Sequence, residues 1–353
     1  MAKRIVIMAG GTGGHVFPAL AVAQELSERD WRVSWLGTRK GIESRVVPEH
    51  GIDIEWLSVE GVRGKGAFGK LTGILKLFKA CAEALLILRR CKPDVVLGMG
   101  GFVAAPGGLM SKALGIPLLI HEQNRVPGTT NRLLAARAKI VMEAFPGSFA
   151  DDVKAVCTGN PLRKAFRDMT AKQPWSSASG RPLRILVVGG SQGAQVLNEV
   201  APRALAKLGD VEIKHQAGRA MAEQVSQQYQ ALGIKAQTLS FIDDIAAAYQ
   251  WADLVICRAG AMTVSEIAAA GLPAVLIPLP HAIDDHQTAN ARYLTEAGAG
   301  ILLPQHELSE ETLKNAVEKM ISGLAAMSRA ARSMARLDAT KAVADRCAAE
   351  VRS

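Results

Sequence analysis

The sequence predicts an α/β protein made of two doubly wound domains with parallel sheets, and three observations carry that prediction. First, short apolar runs end in glycine-rich turns. Residues 4–9 lead into Gly10-Gly11-Thr12-Gly13-Gly14-His15, and residues 183–188 lead into Gly189-Gly190-Ser191-Gln192-Gly193-Ala194. Second, the run 274–278 is apolar enough to be a buried parallel strand, covered on both faces. Third, a chain of 353 residues exceeds what one ordinary core holds, and the second glycine turn echoes the first near mid-chain. Two similar α/β units, each opening on a phosphate-type turn, is the simplest account.

Composition agrees with a globular chain. Hydrophobic residues make up 49% and charged residues 21%, so the chain is not compositionally disordered. No apolar run reaches the length of a membrane span. The N-terminus Met-Ala-Lys-Arg-Ile-Val-Ile-Met-Ala-Gly-Gly breaks at glycines and reads as a first strand, not a signal peptide. The five cysteines are odd in number and form no CxxC pair, which suits reduced thiols in a cytosolic protein. A net charge of +9 suits an anionic partner. No helix-turn-helix, zinc-finger or RNA-binding signature is present, so nucleic acid is not the expected partner.

Taken in order, a first strand spans 4–9 and a helix is expected from near Pro18, a good first-turn residue. The turn between them is not the dinucleotide fingerprint, because Val16 stands where the third glycine belongs. The next strand, 32–36, ends in Gly37-Thr38-Arg39 with no acid for a ribose, and no GxxxxGK[ST] exists. Backbone N–H groups cradling phosphate or sugar remain. His15 admits two readings. It is either a histidine bonded within a turn, or a base kept neutral beside a helix N-terminus, whose dipole disfavours the charged ring.

Residues 61–92 differ from the rest. After Gly61-Val62-Arg63-Gly64-Lys65-Gly66, a helical run places Phe68, Leu71, Leu75, Phe78 and Leu85 on one side, flanked by Ile74, Leu77 and Leu88. Lys76, Lys79 and Glu83 fall opposite. The apolar arc is wider than the stripe of about 100° that a core-facing helix needs. Lys65, Lys70, Arg89, Arg90 and Lys92 add charge. The segment is either a solvated basic face over a core helix or a peripheral membrane contact.

A strand at 94–98 precedes a second glycine turn, Met99-Gly100-Gly101-Phe102. Another, 117–120, is expected to end in His121-Glu122-Gln123-Asn124, four polar side chains directly after a buried strand. A strand at 139–142 follows, and Thr158-Gly159-Asn160-Pro161-Leu162-Arg163 reads as the turn closing the first domain. The polar stretch 170–182 reads as a surface loop. Strands near 211–215 and 236–239 continue the second sheet, and Ser191 is either a phosphate donor or a helix cap. The run 313–351 reads as helical.

The stretch 253–290 is the most informative. A strand at 253–256 ends in Arg258-Ala259-Gly260, a helix runs from near Met262 to Ala270, and Gly271 caps it. A strand at 274–278 follows, and Asp284-Asp285-His286-Gln287 opens the next helix. Two strand-to-helix turns put polar groups at the carboxyl edge of a sheet, where open α/β sheets bind ligands. Helix N-termini there suit a diphosphate. Thr263-Val264-Ser265-Glu266 also fits a capping box, with Glu266 folding back on Thr263. The alternative turns Glu266 outward to two ribose hydroxyls. Residue types leave both open.

This stretch resembles the donor-nucleotide signature of the MurG family of glycosyltransferases, and the likeness extends over essentially the whole chain. It is carried by GGTGGH at 10–15, GVRGKG at 61–66, GMGGFVAAPGG at 98–108 and HEQN at 121–124. Further on it is carried by GNPLR at 159–163, GGSQGA at 189–194, FIDDIAAAY at 241–249 and AMTVSEIAAAGLPA at 261–274. The resemblance implies GT-B architecture, two Rossmann-like domains with parallel sheets facing across a cleft. It implies a domain at 1–160 that meets the acceptor and the membrane, with a C-terminal helix of about 338–353 packing back on it. A donor domain would occupy 161–337.

The implied activity is inverting transfer of N-acetylglucosamine from UDP-N-acetylglucosamine to the 4-hydroxyl of an undecaprenyl-linked muramyl-pentapeptide, in peptidoglycan synthesis. By the same resemblance, Ile242 reads uracil through its backbone, and Glu266 holds the ribose. Ala261, Met262, Thr263, Val264 and Ser265 line the nucleotide. Arg163 and Ser191 contact phosphate, and Gln287 and Asn124 contact sugar hydroxyls. Thr12, Gly13 and Gly14 line the cleft. The base is His15 or Glu122. Some relatives carry Gln-Gln where this chain has His286-Gln287. No metal or other cofactor is implied, since no Asp-x-Asp occurs in a plausible donor loop and Asp284-Asp285 look like first-turn residues. The acceptor's lipid tail implies peripheral docking on an anionic membrane through residues 63–92, at the cytoplasmic face of the bacterial inner membrane. Two other classes stay open: a different enzyme using a UDP-sugar, such as an epimerase, and a non-catalytic membrane-binding scaffold.

Overall fold

The computed structural model describes residues 2–58, 67–170, 172–189, 194–280 and 282–351, with backbone only for 67–75, 179 and 283. The chain forms two compact units, Met1–Arg163 with Arg336–Ser353, and Lys164–Ala335.

The first unit holds strands β1 (Arg4–Met8), β2 (Arg32–Gly37), β3 (Asp53–Trp56), β4 (Val95–Gly98), β5 (Leu118–Glu122), β6 (Ile140–Glu143) and β7 (Val156–Cys157). They form one sheet in the order β3-β2-β1-β4-β5-β6-β7, with every pairing parallel. Alternation within β1 sorts the core. Ile5 and Ile7 pack beneath helix Gly13–Ser27, together with Val343, Ala344 and Cys347 of helix Ala339–Ala349. Val6 and Met8 pack on the other face with Ala80, Ala84, Ile87 and Leu88 of helix Ala67–Cys91. Both faces are covered, which is why β4 and the first three residues of β5 are apolar. The C-terminal helix is tied down by Thr340, whose hydroxyl donates to the Leu162 carbonyl (3.0 Å), and by Asp345, which accepts from Arg29 (2.6 Å).

The second unit holds β8 (Leu183–Val188), β9 (Val211–Gln216), β10 (Ala236–Leu239), β11 (Leu254–Cys257), β12 (Ala274–Leu276) and β13 (Gly300–Leu302). The order is β10-β9-β8-β11-β12-β13, again all parallel. In each sheet the order reverses beside the first strand, between β1 and β4 and between β8 and β11. That reversal is the topological switch point, where ligands bind such folds.

Several expectations need correction. The first helix starts at Gly13, not near Pro18. The Thr12 carbonyl accepts the N–H groups of His15 and Val16, so the helix is already formed when Pro18 enters, and the proline forfeits only its own bond. His121 and Glu122 belong to β5 instead of following it. The run 313–351 is three helices, Glu310–Ile321, Leu324–Ser333 and Ala339–Ala349. The helix expected across 61–92 is described from Ala67, and its core face is not the one expected. Small and aliphatic residues, Ala80, Ala84, Ile87 and Leu88, are buried, while Phe78 is 70% exposed and Leu86 65%. Leu77, Lys76 and Lys79 are exposed beside Phe78. Lys65 and the other residues from 59 to 66 lie outside the described residues.

Candidate functional site

The loops after β1 and β4 meet at the first switch point. A Cβ built on Gly101 would lie 2.3 Å from the Gly10 carbonyl oxygen, so only glycine lets the two turns touch. Glu43 ties the first of these turns to the loop after β2. It is fully buried on helix Glu43–Glu49. Its carboxylate accepts from the Gly11 N–H (3.0 Å), the Thr38 N–H (3.0 Å) and the Thr38 hydroxyl (2.8 Å). The acid that the loop after β2 lacks is supplied a few residues later, and it is spent on backbone. Thr12 is the N-cap residue of helix Gly13–Ser27, with Gly13 and Gly14 in its first turn. His15 stands in that turn, its Nδ1 3.4 Å from the Thr12 hydroxyl.

The HEQN segment is a second stapled turn. Glu122 is 2% exposed, and its carboxylate accepts four bonds. These come from the Asn124 N–H (2.9 Å) and side chain (3.2 Å), the Gly128 N–H (3.0 Å) and Asn131 (2.9 Å). His121 is buried, and burial lowers its pKa to about 4, so the ring is neutral at physiological pH. Its Nε2 lies 2.9 Å from the Gly159 carbonyl, and its Nδ1 3.0 Å from the Gln123 side-chain nitrogen. Asn160 donates to the Gln123 carbonyl (3.1 Å). HEQN and GNPLR, far apart in sequence, are thus one hydrogen-bonded unit. Arg163 ends it with its guanidinium 5.5 Å from the centre of the Phe17 ring. A third carboxylate, Glu143 at the end of β6, accepts the N–H groups of Gly147, Ser148 and Phe149.

The second switch point is built differently. Arg258 follows β11, and its guanidinium donates to the Ile277 and Pro278 carbonyls (3.2 Å each) and to Gln305 (2.7 Å). It therefore brings positive charge to the carboxyl ends of β11 and β12. The Gln287 side-chain oxygen accepts the N–H groups of Ala259 (3.3 Å) and Leu279 (2.9 Å), which leaves the amide nitrogen as the end able to reach a ligand. Asn290 donates to the Ala259 carbonyl (3.2 Å). Helix Ala261–Ala270 is capped by Gly260 with no side-chain cap bond. This removes the capping-box alternative. Thr263 lies inside the first turn, and Glu266 a turn further in, so Glu266 cannot fold back on a Thr263 cap. Ser265 donates to the Ala261 carbonyl (3.0 Å), and Val264 is buried. Glu266 is 9% exposed, and its charge helps burial push the Cys257 thiol up to about 12.

Gly271 closes the helix in the left-handed conformation. Asp284 and Asp285 are not first-turn residues. Both have positive φ (54° and 48°), and Asp285 precedes helix His286–Thr295, accepting from Thr288 (2.7 Å). Non-glycine residues in that region store backbone strain, which gathers at ligand loops. Ile242 lies beyond β10, just before Asp244, which caps helix Ile245–Trp251 through the Ala247 N–H (2.9 Å). Ser191 lies outside the described residues.

Thr12, Gly13, Gly14, His15, Glu122, Asn124 and Arg163 thus belong to the first unit, and Ile242, residues 261–266 and Gln287 to the second. Sequence reasoning missed Glu43, Glu143, Arg258 and Asn290. A position a few residues past a strand's polar end was the only available signal for the first. Among the described residues no group of three or more His, Cys, Asp or Glu could hold a metal ion.

Residues 5–143 match the glycosyltransferase family 28 N-terminal domain, and residues 184–346 match the glycosyltransferase family 28 C-terminal domain. A protein of Methylococcus capsulatus is 58% identical over 99% of both chains. It is named UDP-N-acetylglucosamine–N-acetylmuramyl-(pentapeptide) pyrophosphoryl-undecaprenol N-acetylglucosamine transferase. A protein of Nitrosococcus oceani with the same name is 51% identical over 98% of both. The crystal structure of Acinetobacter baumannii MurG superposes with a TM-score of 0.84 at 42% identity, covering 98% of this chain and 99% of that one. The glycotransferase of kitacinnamycin shares the fold at 17% identity and a TM-score of 0.72. With both domain families matched in order and relatives aligned end to end, this chain belongs to glycosyltransferase family 28.

Proposed function

We propose that this chain transfers N-acetylglucosamine from UDP-N-acetylglucosamine to the 4-hydroxyl of the undecaprenyl-linked muramyl-pentapeptide, inverting the anomeric centre to a β-1,4 link, in peptidoglycan synthesis. The observation that carries the reading is the end-to-end match to relatives of that activity, at 58% identity for one of them. The chemistry is a single displacement. The hydroxyl attacks C1 in line, a base takes its proton, and UDP leaves toward positive charge and N–H donors.

In this reading the second unit's edge holds the donor. Arg258 and the glycine-capped N-terminus of helix Ala261–Ala270 supply the positive field that a diphosphate needs. Glu266 accepts the ribose hydroxyls, Ile242 meets uracil, and residues 261–265 line the nucleotide. Gln287 offers its amide nitrogen to the sugar. Arg163 and Ser191 contact phosphate, and Asn124 a sugar hydroxyl. The first unit's edge, with Thr12, Gly13 and Gly14, serves the acceptor. His15 takes the proton. Glu122 holds the turn, because its carboxylate already accepts four hydrogen bonds and a proton taken there would displace one of them.

The protein docks peripherally at the cytoplasmic face of the bacterial membrane, where a lipid-linked acceptor lies. Two observations support this. No helix among the described residues is long and apolar enough to cross a membrane. Exposed Leu77, Phe78 and Leu86 stand with Lys76 and Lys79 on helix Ala67–Cys91. An anionic leaflet attracts each nearby lysine by about 1 kcal/mol. Replacing Lys65, Lys70, Lys76 and Lys79 by Glu is expected to lower sedimentation with anionic vesicles at low salt, with activity on a short-chain soluble acceptor retained. Unchanged sedimentation would make the segment an ordinary solvated face.

The activity is tested by transfer of radiolabelled N-acetylglucosamine to a lipid-linked muramyl acceptor. Label in the lipid fraction, dependent on acceptor, is the expected result. Isomerisation of UDP-N-acetylglucosamine without acceptor would instead mark an epimerase.

A further inference from the structure

The second unit buries a polar chain that the candidate site does not use. His215 of β9 and Asn198 of helix Gln195–Leu205 are fully buried, and Tyr229 of helix Ala222–Ala231 is 1% exposed. His215 Nδ1 lies 3.0 Å from the Tyr229 hydroxyl oxygen, and its Nε2 lies 3.1 Å from Asn198 Oδ1. Asn198 Nδ2 lies 2.9 Å from the Ala217 carbonyl oxygen and 3.3 Å from Met221 Sδ.

One fixed end sets the direction of this chain. The Ala217 carbonyl can only accept, so the Asn198 amide nitrogen faces it and the amide oxygen faces the ring. That oxygen also only accepts, so His215 Nε2 carries the proton. Burial lowers the pKa of the ring to about 3, so it is neutral and Nδ1 is an acceptor. Burial pushes the Tyr229 phenol up, so it keeps its proton and donates to Nδ1. Reversing the Asn198 amide would set its oxygen against the Ala217 carbonyl. An apolar trio would fill the same space without desolvating polar groups. What the chain adds is direction: it determines which way Asn198 points.

The chain ends on backbone that ties two elements together. Ala217 directly follows β9, and the carbonyl before it, Gln216, accepts the Gly189 N–H (3.4 Å). Gly189 directly follows β8, and Asn198 is the fourth residue of the helix that comes next. Two successive carbonyls at the end of β9 thus hold the chain on both sides of residues 190–197.

We propose that His215 is a positioning residue for the donor diphosphate, acting through Asn198 on the chain between β8 and helix Gln195–Leu205. This rests on the reading in which Ser191, within that stretch, contacts phosphate. His215 itself touches no ligand. Its Nε2–H holds the Asn198 oxygen, and Asn198 holds the start of the helix to the strand end that also carries Gly189.

The test compares UDP with uridine, which lacks the diphosphate, by calorimetry on the full chain. His215→Leu removes the donor to Asn198 and is expected to weaken UDP binding about tenfold, the worth of one ordinary hydrogen bond, with uridine affinity unchanged. His215→Gln keeps an N–H donor and should hold UDP affinity within about threefold of wild type. Tyr229→Phe keeps the ring packing and removes only the O–H that steadies the imidazole, so UDP should weaken about threefold and uridine not at all. Long-range proton–nitrogen NMR at neutral pH should show wild-type His215 protonated on Nε2 alone. UDP and uridine weakening together would reveal a merely structural role and overturn the proposal. Unchanged UDP affinity in folded His215→Leu overturns it too, as does an Nδ1–H ring in the wild type. If His215→Leu does not fold, Tyr229→Phe decides by the same two affinities. A wild type that binds UDP no more tightly than uridine contradicts the donor reading itself, and that outcome separates its failure from failure of the positioning alone.

Discussion

The two sheets share one strand order and differ at the switch point. In the first unit, buried carboxylates hold the turns at the carboxyl edge. Glu43, Glu122 and Glu143 between them accept the N–H groups of Gly11, Thr38, Asn124, Gly128, Gly147, Ser148 and Phe149. In the second, a guanidinium and two amides hold them, from Arg258, Gln287 and Asn290. An edge whose own acids consume its donors is poorly suited to a nucleotide diphosphate. An edge that brings a cation and a glycine-capped helix start is well suited to one. Topology places the two edges alike, and the side chains divide the labour between them.

The largest expected effect that probes this division is at His15. A positioned base contributes about 10²–10⁴-fold. His15→Ala is expected to lower kcat by that order while UDP affinity, which the proposed reading assigns mainly to the other unit, changes little. A kcat within about threefold of the parent would leave His15 a turn residue.

Next is Glu43→Ala, which strands two buried donors on Thr38 and the half-buried Gly11 N–H. At about 1–3 kcal/mol per unsatisfied group, partly relieved by water, a loss near 3 kcal/mol in denaturant unfolding is expected, again with UDP affinity preserved. A loss of UDP binding in folded protein would erase the contrast between the edges.

Glu266→Ala should act the opposite way. A hydrogen bond to a charged group is worth about 1.5–3 kcal/mol, so UDP binding should weaken about tenfold or more in calorimetry, with stability nearly unchanged. Unchanged affinity would remove the ribose role.

The last effect concerns pH. Burial holds His121 at about 4, below the unfolded value of 6.5. The unfolded chain binds the extra proton in that interval, so stability is full above pH 6.5 and falls as pH drops toward 4, by about 1.4 kcal/mol per unit for one group. His121→Asn should flatten that slope in unfolding titrations between pH 6.5 and 5. An unaltered slope would place the burden elsewhere, His215 of the second unit being another buried neutral histidine, at about 3.

Much of this was legible in the sequence, for physical reasons. The central strands β1, β4, β8 and β11 announce themselves as largely apolar runs before glycines, because both of their faces are covered. The edge strands β3 and β13 went unread. Asp53-Ile54-Glu55-Trp56 alternates on a half-solvated edge, and Gly300-Ile301-Leu302 is too short to carry a period. At the site, glycines and the HEQN and GNPLR motifs were visible, but their joining through His121 and the Gly159 carbonyl was not, since the partners are far apart in sequence. The capping-box pattern at Thr263 misled because four residue types fit a cap wherever a helix happens to begin. Tertiary packing started this one at Ala261. On helix Ala67–Cys91 periodicity identified an apolar arc but not which part of it is buried. Ala80 and Ala84 share the buried face with Ile87 and Leu88, and Phe78 stands outside it.

The central claim, that the second edge takes the nucleotide and the first does not, is most directly tested by amide hydrogen exchange of the full chain with and without UDP. The account predicts new protection in the peptides spanning Arg258–Ser265 and the loop at Ile242, with Gly10–Gly14 unchanged. Protection at Gly10–Gly14, with none in Arg258–Ser265, would contradict it.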